Sequence, residues 1–152
     1  MKRLDKDSLV LGPRPGKKSF DRLSELSLTH VCTLLSEREQ VSNIEHISKR
    51  LGCDWIWLPM DGGHLETLRG LDIASYVKAF FDGIANTERP HVYLHCSAGI
   101  HRTGFFAYLL LRSSGWMADE AADYLATLRP VTAEQVGEDR IALAEEMFVE
   151  TL

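Results

Sequence analysis

From Pro90 to Gly115 the chain passes from a short apolar strand, His91–His95, through a polar, glycine-bearing turn into a helix, Arg102–Ser113, that is apolar without interruption from Phe105 to Leu111. A strand and a helix of this kind belong in the interior. The chain on either side alternates in the same way. Leu9–Leu11 reads as a strand ended by the Pro/Gly cluster Gly12–Gly16. Ser19 is expected to cap a short helix with Phe20, Leu23 and Leu26 on one face. Leu28–Leu35 is a strand, and Val41, Ile44, Ile47 and Leu51 keep helical spacing up to a stop at Gly52. Cys53–Leu58 is a further strand, closed by Pro59 and followed by the glycine-rich loop Met60–His64. Leu65–Ala85 is predicted as one long helix with Leu68, Leu71, Ala74, Val77 and Phe81 inward and Gly70 as its weak point. Helices over Asp119–Leu128 and Ala133–Val149 complete the chain. Strands alternating with helices predict an α/β fold, a largely parallel central sheet flanked by helices, in one domain over residues 1–152.

A chain of this length buries about 69% of its open-chain surface, enough for a core without disulfide or metal support. The net charge of −5 and the absence of a basic face argue against a duplex nucleic-acid binder. Phe105–Leu111 is far short of the ~20 residues that span a bilayer. Met1-Lys2-Arg3 leads into Asp5-Lys6-Asp7 and not into an apolar signal region. Cys32, Cys53 and Cys96 are an odd, irregularly spaced set, which favours a reducing, cytoplasmic setting. If one of them is special, it is special as a thiolate.

The turn His95-Cys96-Ser97-Ala98-Gly99-Ile100-His101-Arg102-Thr103-Gly104 carries the chemistry. Gly99 can take a positive φ and let the backbone curl. Curled N–H groups form an anion nest, and the helix that follows adds its N-terminal dipole. Arg102 supplies a planar fork for two phosphate oxygens. The same positive field lowers the pKa of a thiol at Cys96, and Thr103 can donate its hydroxyl to the thiolate. The spacing Cys-x5-Arg alone is weak, because Cys32 and Arg38 share it. That copy lacks a glycine, continues a strand and places Glu37 beside any anion.

The ten-residue segment resembles the signature loop of the cysteine-dependent protein tyrosine phosphatases. The small size, the central Cys96 and the later Leu128-Arg129-Pro130 resemble the dual-specificity branch. The resemblance implies a phosphatase fold in which Cys96 attacks phosphorus, the amides of Ser97, Ala98, Gly99, Ile100, His101 and Arg102 hold the oxygens with the Arg102 side chain, and Thr103 eases departure of the thiolate. It implies a general acid on a loop thirty-odd residues earlier. Asp61 stands 35 residues before Cys96, with Gly62 and Gly63 to permit movement; Asp54 is placed in a strand and Asp72 inside a helix. His95 acquires a loop-holding role. His101 departs from the more common glycine and either touches substrate or faces solvent. Glu37 either orients Arg102 or is a solvated charge.

His91 and His95 lie about 13 Å apart on a strand and cannot share an ion; no metal and no cofactor are expected. Trp55 and Trp57 read as core packing and surface cover. Met117 replaces the usual hydroxyl cap of its helix at a cost of about 1 kcal/mol. Attraction of an anion to this acidic chain falls to Arg102, the loop amides, His101 and Arg69. The expected partner is a phosphorylated protein, with a phosphoinositide, inositol phosphate or nucleotide as the alternative. A phosphate-binding pseudophosphatase is the rival of another class. No membrane segment is expected, and the protein is read as a monomer.

Overall fold

A computed structural model of the chain describes residues 2–148. Among these, β1 (Leu9–Gly12), β2 (His30–Thr33), β3 (Asp54–Trp57) and β4 (Val92–His95) form one parallel sheet in the order β1-β4-β2-β3. The central pair, β2 and β4, is buried along its whole length, the mark of a parallel sheet covered on both faces.

The helices are α1 (Phe20–Ser24), α2 (Ser42–Arg50), α3 (Leu65–Arg69), α4 (Ile73–Ile84), α5 (His101–Ser113), α6 (Ala118–Leu128), α7 (Pro130–Gln135) and α8 (Glu138–Met147). Helix α5 is the pivot. It is buried from Arg102 to Leu111, packed on β1 and β4 and enclosed by α6, α7 and α8. An all-round apolar helix can be stable only in such a place. Phe80 of α4 meets Phe106 of α5 edge to face, with ring centroids 6.3 Å apart.

Several sequence expectations are corrected. The long helix over Leu65–Ala85 is two helices. Leu71 N–H closes back on Leu68 O, and the Asp72 carboxylate accepts the Ser75 N–H at 3.3 Å and the Ser75 hydroxyl at 2.7 Å. Asp72 is thus the N-cap of α4 and not an interior residue, since a capping side chain competes with helix continuation. The restart turns Ala74 to solvent; Ile73, Val77, Phe80 and Ile84 form the inward row. The helix over Ala133–Val149 is likewise broken, at Gly137 with φ +90°; Val149 lies outside the described residues. The Ser19 hydroxyl makes no cap and bonds instead with Gly16, accepting its N–H and donating to its carbonyl. Helix α1 ends before Leu26, which is exposed. Met117 caps nothing with its side chain; its N–H donates to Glu120 Oε1 at 3.0 Å. Trp55 and Trp57 stack on one face of the edge strand with centroids 5.6 Å apart.

At Gly104, α5 packs closely on α7 and the Val136 that ends it. A Cβ there would stand 2.6 Å from Val136 Cγ2 and 3.2 Å from Thr132 Cγ2. Gly104→Ala is therefore expected to destabilise by about 1–3 kcal/mol through overpacking, read as a lower urea midpoint. Gly16→Ala, with open space around it, is the matched control and should stay within about 0.5 kcal/mol.

Candidate active site

The carboxyl ends of the strands lie level, with Gly12 in register with His95, His95 with Thr33, and Thr33 with Trp57. Their loops leave the sheet at one edge, where open α/β sheets collect ligands. The loop Cys96–Ile100 joins β4 to α5. Gly99 holds φ +73°, and a Cβ there would lie 2.2 Å from Gly12 O, so only glycine fits.

The loop carbonyls all find donors outside. Cys96 O bonds His95 Nδ1 at 2.9 Å, and Ser97 O accepts the Arg14 N–H at 2.9 Å. Arg129 Nη1 donates to Ala98 O at 3.1 Å and Gly99 O at 2.9 Å, and the Thr132 hydroxyl reaches Gly99 O at 2.6 Å. With the carbonyls held outward, the amides from Ser97 to Arg102 donate to no oxygen among the described residues. They form the nest that suits an oxyanion.

Cys96 lies on the floor of this nest. Burial alone pushes its thiol up. The opposing influences are the Thr103 hydroxyl at 3.1 Å, the Thr103 and Ile100 amides and the Arg102 charge, and together they bring it below its ordinary 9.0. The other two thiols behave oppositely. Cys32 is fully buried and pushed far up, and Cys53 is raised by burial and by Asp54. Arg38, partner of Cys32 in the second Cys-x5-Arg, is exposed and faces Asp61 at 3.5 Å.

Arg102 is almost wholly buried and is held by Glu39, not by Glu37, which is exposed. Nη1 donates to Glu39 Oε1 at 2.7 Å and Met60 O at 3.0 Å, and Nη2 donates to Glu39 Oε2 at 3.1 Å. Of the five guanidinium donors, the Nε–H and the second Nη2–H remain, parallel along one edge, for an anion. The Arg102 hydrogen bond, with help from Ser36, holds the Glu39 carboxyl down at about 2 against an ordinary 4.5. Sequence reading missed Glu39, though Ser36-Glu37-Arg38-Glu39 carries the capping-box spacing Ser-x-x-Glu; Glu39 Oε1 accepts both the Ser36 N–H at 2.9 Å and its hydroxyl at 3.0 Å.

His95 is fixed from both ring nitrogens. Cys96 O can only accept, so Nδ1 carries the proton. Nε2 then accepts the Thr33 hydroxyl at 2.8 Å, whose oxygen in turn accepts Trp55 Nε1–H at 2.8 Å. Burial, and then the charges of Arg14 and Arg102, hold the imidazole neutral, down at about 4, against the pull of the Cys96 carbonyl bond.

Asp61 follows Met60, the residue whose carbonyl Arg102 grips, so its loop starts beside Arg102 and arches from there to α5, while the Asp61 carboxylate itself faces Arg38. The far side of the arch rests on α5. A Cβ at Gly63 would lie 2.7 Å from His101 Cβ, and Arg140 Nε donates to Gly63 O at 2.6 Å. Tyr76 Oη anchors the near side on Pro59 O. His101 is exposed at the rim. Arg69 is not at the site; it pairs with Glu146 at 2.7 Å. Arg129 and Thr132, with the Arg14 backbone N–H, brace the nest instead, and Arg140 braces the neighbouring loop at Gly63. Only Arg129, in Leu128-Arg129-Pro130, stood in a motif, because the others act through bonds between distant segments.

A family model described as "Tyrosine phosphatase family" matches residues 14–149. The chain belongs to this family, a class of cysteine-based phosphatases. No curated protein matches it individually. Its fold is shared with the active form of Tk-PTP, at 17% identity and TM-score 0.65, over 92% of this chain and 90% of that one. PTPMT1 in complex with PI(5)P matches at 19% identity and TM-score 0.64, over 95% and 94%. The core catalytic domain of the PP-IP phosphatase SIW14 from S. cerevisiae, in complex with citrate, matches at 20% identity and TM-score 0.64, over 99% and 88%.

Glu39 and His95, the most strongly depressed carboxyl and imidazole, both contribute to the acid stability. The His95 contribution is present above pH 6.5 and lost as pH falls toward 4; the Glu39 contribution is present above 4.5 and lost toward 2. Glu39→Gln is expected to flatten the decline between pH 4.5 and 2 in urea titrations and to leave the higher limb. It should also lower kcat/KM on the order of 10²-fold, because a displaced Arg102 edge misaligns the anion. A variant with wild-type kinetics would show that Arg102 holds its place without Glu39.

Proposed function

We propose that the protein is a metal-independent phosphomonoesterase that works through a cysteinyl-phosphate. The observation that carries this is a buried thiol, lowered in pKa and held by Thr103, at the floor of a nest whose carbonyls are all held outward. The Cys96 thiolate attacks phosphorus as the bond to the leaving oxygen breaks. The amides from Ser97 to Arg102 and the free Arg102 edge bind the three other oxygens as charge builds there. Asp61 gives its proton to the departing oxygen. Water then attacks the phosphorus, Asp61 takes its proton, the S–P bond breaks, and Thr103 receives the returning thiolate with its hydroxyl.

Phosphotyrosine and phosphoserine/threonine on proteins are the substrates the family resemblance favours. A second reading, a small phosphorylated molecule, draws on the arginines around the nest and on relatives crystallised with PI(5)P or named as a PP-IP phosphatase. Three free cysteines suit a cytoplasmic enzyme, and no described helix is long and apolar enough to cross a membrane.

Cys96→Ser is expected to abolish turnover of p-nitrophenyl phosphate while phosphate still binds; a pseudophosphatase would show no turnover in the wild type either. Activity should persist in EDTA and vanish with vanadate. Asp61→Asn tests the acid through the leaving group. The loss should be roughly 10²–10⁴-fold for phenyl phosphate and much smaller for p-nitrophenyl phosphate, while Asp54→Asn changes neither. Equal losses for both esters would remove Asp61 from the proton transfer.

A further inference from the structure

Arg38, Arg69, Arg102 and Arg112 each face a carboxylate. Arg140 does not. Among the described residues its guanidinium meets only carbonyl oxygens, with Nε on Gly63 O at 2.6 Å and Nη1 on Val136 O at 3.1 Å. That leaves one Nη1–H and both Nη2–H groups unused. The charge therefore stays uncompensated in a chain whose net charge is −5. Its position is specific. Gly63 O, which it grips, belongs to the residue whose Cα packs directly on His101, and His101 immediately precedes Arg102.

His101 is exposed and has no hydrogen-bond partner in the protein among the described residues. Burial and then the neighbouring Arg140, Arg102 and His64 hold its imidazole below the ordinary 6.5. Apart from Arg102, which Glu39 holds, the groups gathered at this point of the rim include a guanidinium, Arg140, and an imidazole, His101, for which no carboxylate lies within ion-pair distance among the described residues. Such a cluster is relieved by an anion, which would pair with the guanidinium and restore a proton to the ring.

We propose that Arg140 and His101 form a second anion subsite beside the nest, which takes a second phosphoryl group carried by the same substrate molecule. The substrate class is then a small molecule with at least two phosphates, such as a bisphosphorylated polyol. This rests on the Cys96 nest being the cradle of the scissile phosphate. Phosphate suits the free guanidinium donors, which match two oxygens at once. An acidic peptide, which would have to run on past Asp61, suits the surroundings less, because the groove there, of about 700 Å³, carries Glu37, Asp61 and Glu66 against Arg38 alone.

The test compares kcat/KM for an inositol bisphosphate, for phenyl phosphate and for a phosphotyrosine peptide flanked by glutamates, in wild type, Arg140→Met and His101→Gln. The ratio of bisphosphate to phenyl phosphate is expected to fall about 10–100-fold in each variant, the size of a lost charge-assisted bond. An unchanged ratio overturns the subsite, as does a wild type that cleaves phenyl phosphate but no bisphosphate. A fall confined to the acidic peptide overturns the small-molecule class. If Arg140→Met does not fold, calorimetry on Cys96→Ser decides: inositol bisphosphate should bind at least 10-fold tighter than orthophosphate, and equal affinities overturn the proposal. Failure of the cradle itself looks different, since Cys96→Ser would then still turn over phenyl phosphate.

Discussion

The carbonyl oxygens of Cys96, Ser97, Ala98 and Gly99 are all engaged on the outside of their loop, by His95, Arg14, Arg129 and Thr132. Peptide planarity does the rest. A carbonyl held outward turns the amide of the same peptide unit inward, so a ring of donors faces one point without any of them being bonded to it. Gly99, pressed on Gly12 O, closes the curve. The thiol at the centre is stabilised as its anion by the same donors that would hold phosphate oxygens.

Arg102 shows how the remaining freedom is removed. A long, flexible cation in a nest would be free to collapse onto the thiolate. Glu39 and the Met60 carbonyl hold one side of the guanidinium and leave the other edge open. Because Met60 adjoins Asp61, the anchor of the fork is also the anchor of the Asp61 loop. The His95 chain through Thr33 to Trp55 does for the start of the loop what Glu39 does for its end.

The sequence was legible where the chemistry was local. The strand, the curl at Gly99 and the apolar helix are contiguous, and so the parallel α/β sheet and the positions of Cys96, Arg102 and Thr103 followed from residue types in order. It was less legible at helix breaks, where Asp72 and Gly137 interrupt apolar periodicity with capping and with positive φ. It was least legible for Glu39, Arg14, Arg129 and Arg140. These residues meet the nest or brace its surroundings across separations of 25 to 83 positions, in pairings that only the folded chain creates, from Arg14 with Glu39 to Arg14 with Ser97. Glu37 and Arg69 carried the expected charge in the wrong place, exposed on their own turns.

Thr103 and Gly104 are also the first turn of the most buried helix in the molecule. Protein segments open to solvent at very different free-energy costs, and the interior of a core helix opens last. Amide hydrogens along α5 therefore exchange with solvent only when the whole domain opens. Met60 is rooted in the core and bonded to Leu34 O, but beyond it Asp61 is exposed, Gly62 and Gly63 are half-buried and Gly63 is held through Arg140, which places this tip of the loop nearer the fast-exchanging end of the scale. The helix that follows Cys96 and the loop tip that carries Asp61 thus live on different clocks: the first is as long-lived as the fold, and the second is free to open locally within its lifetime.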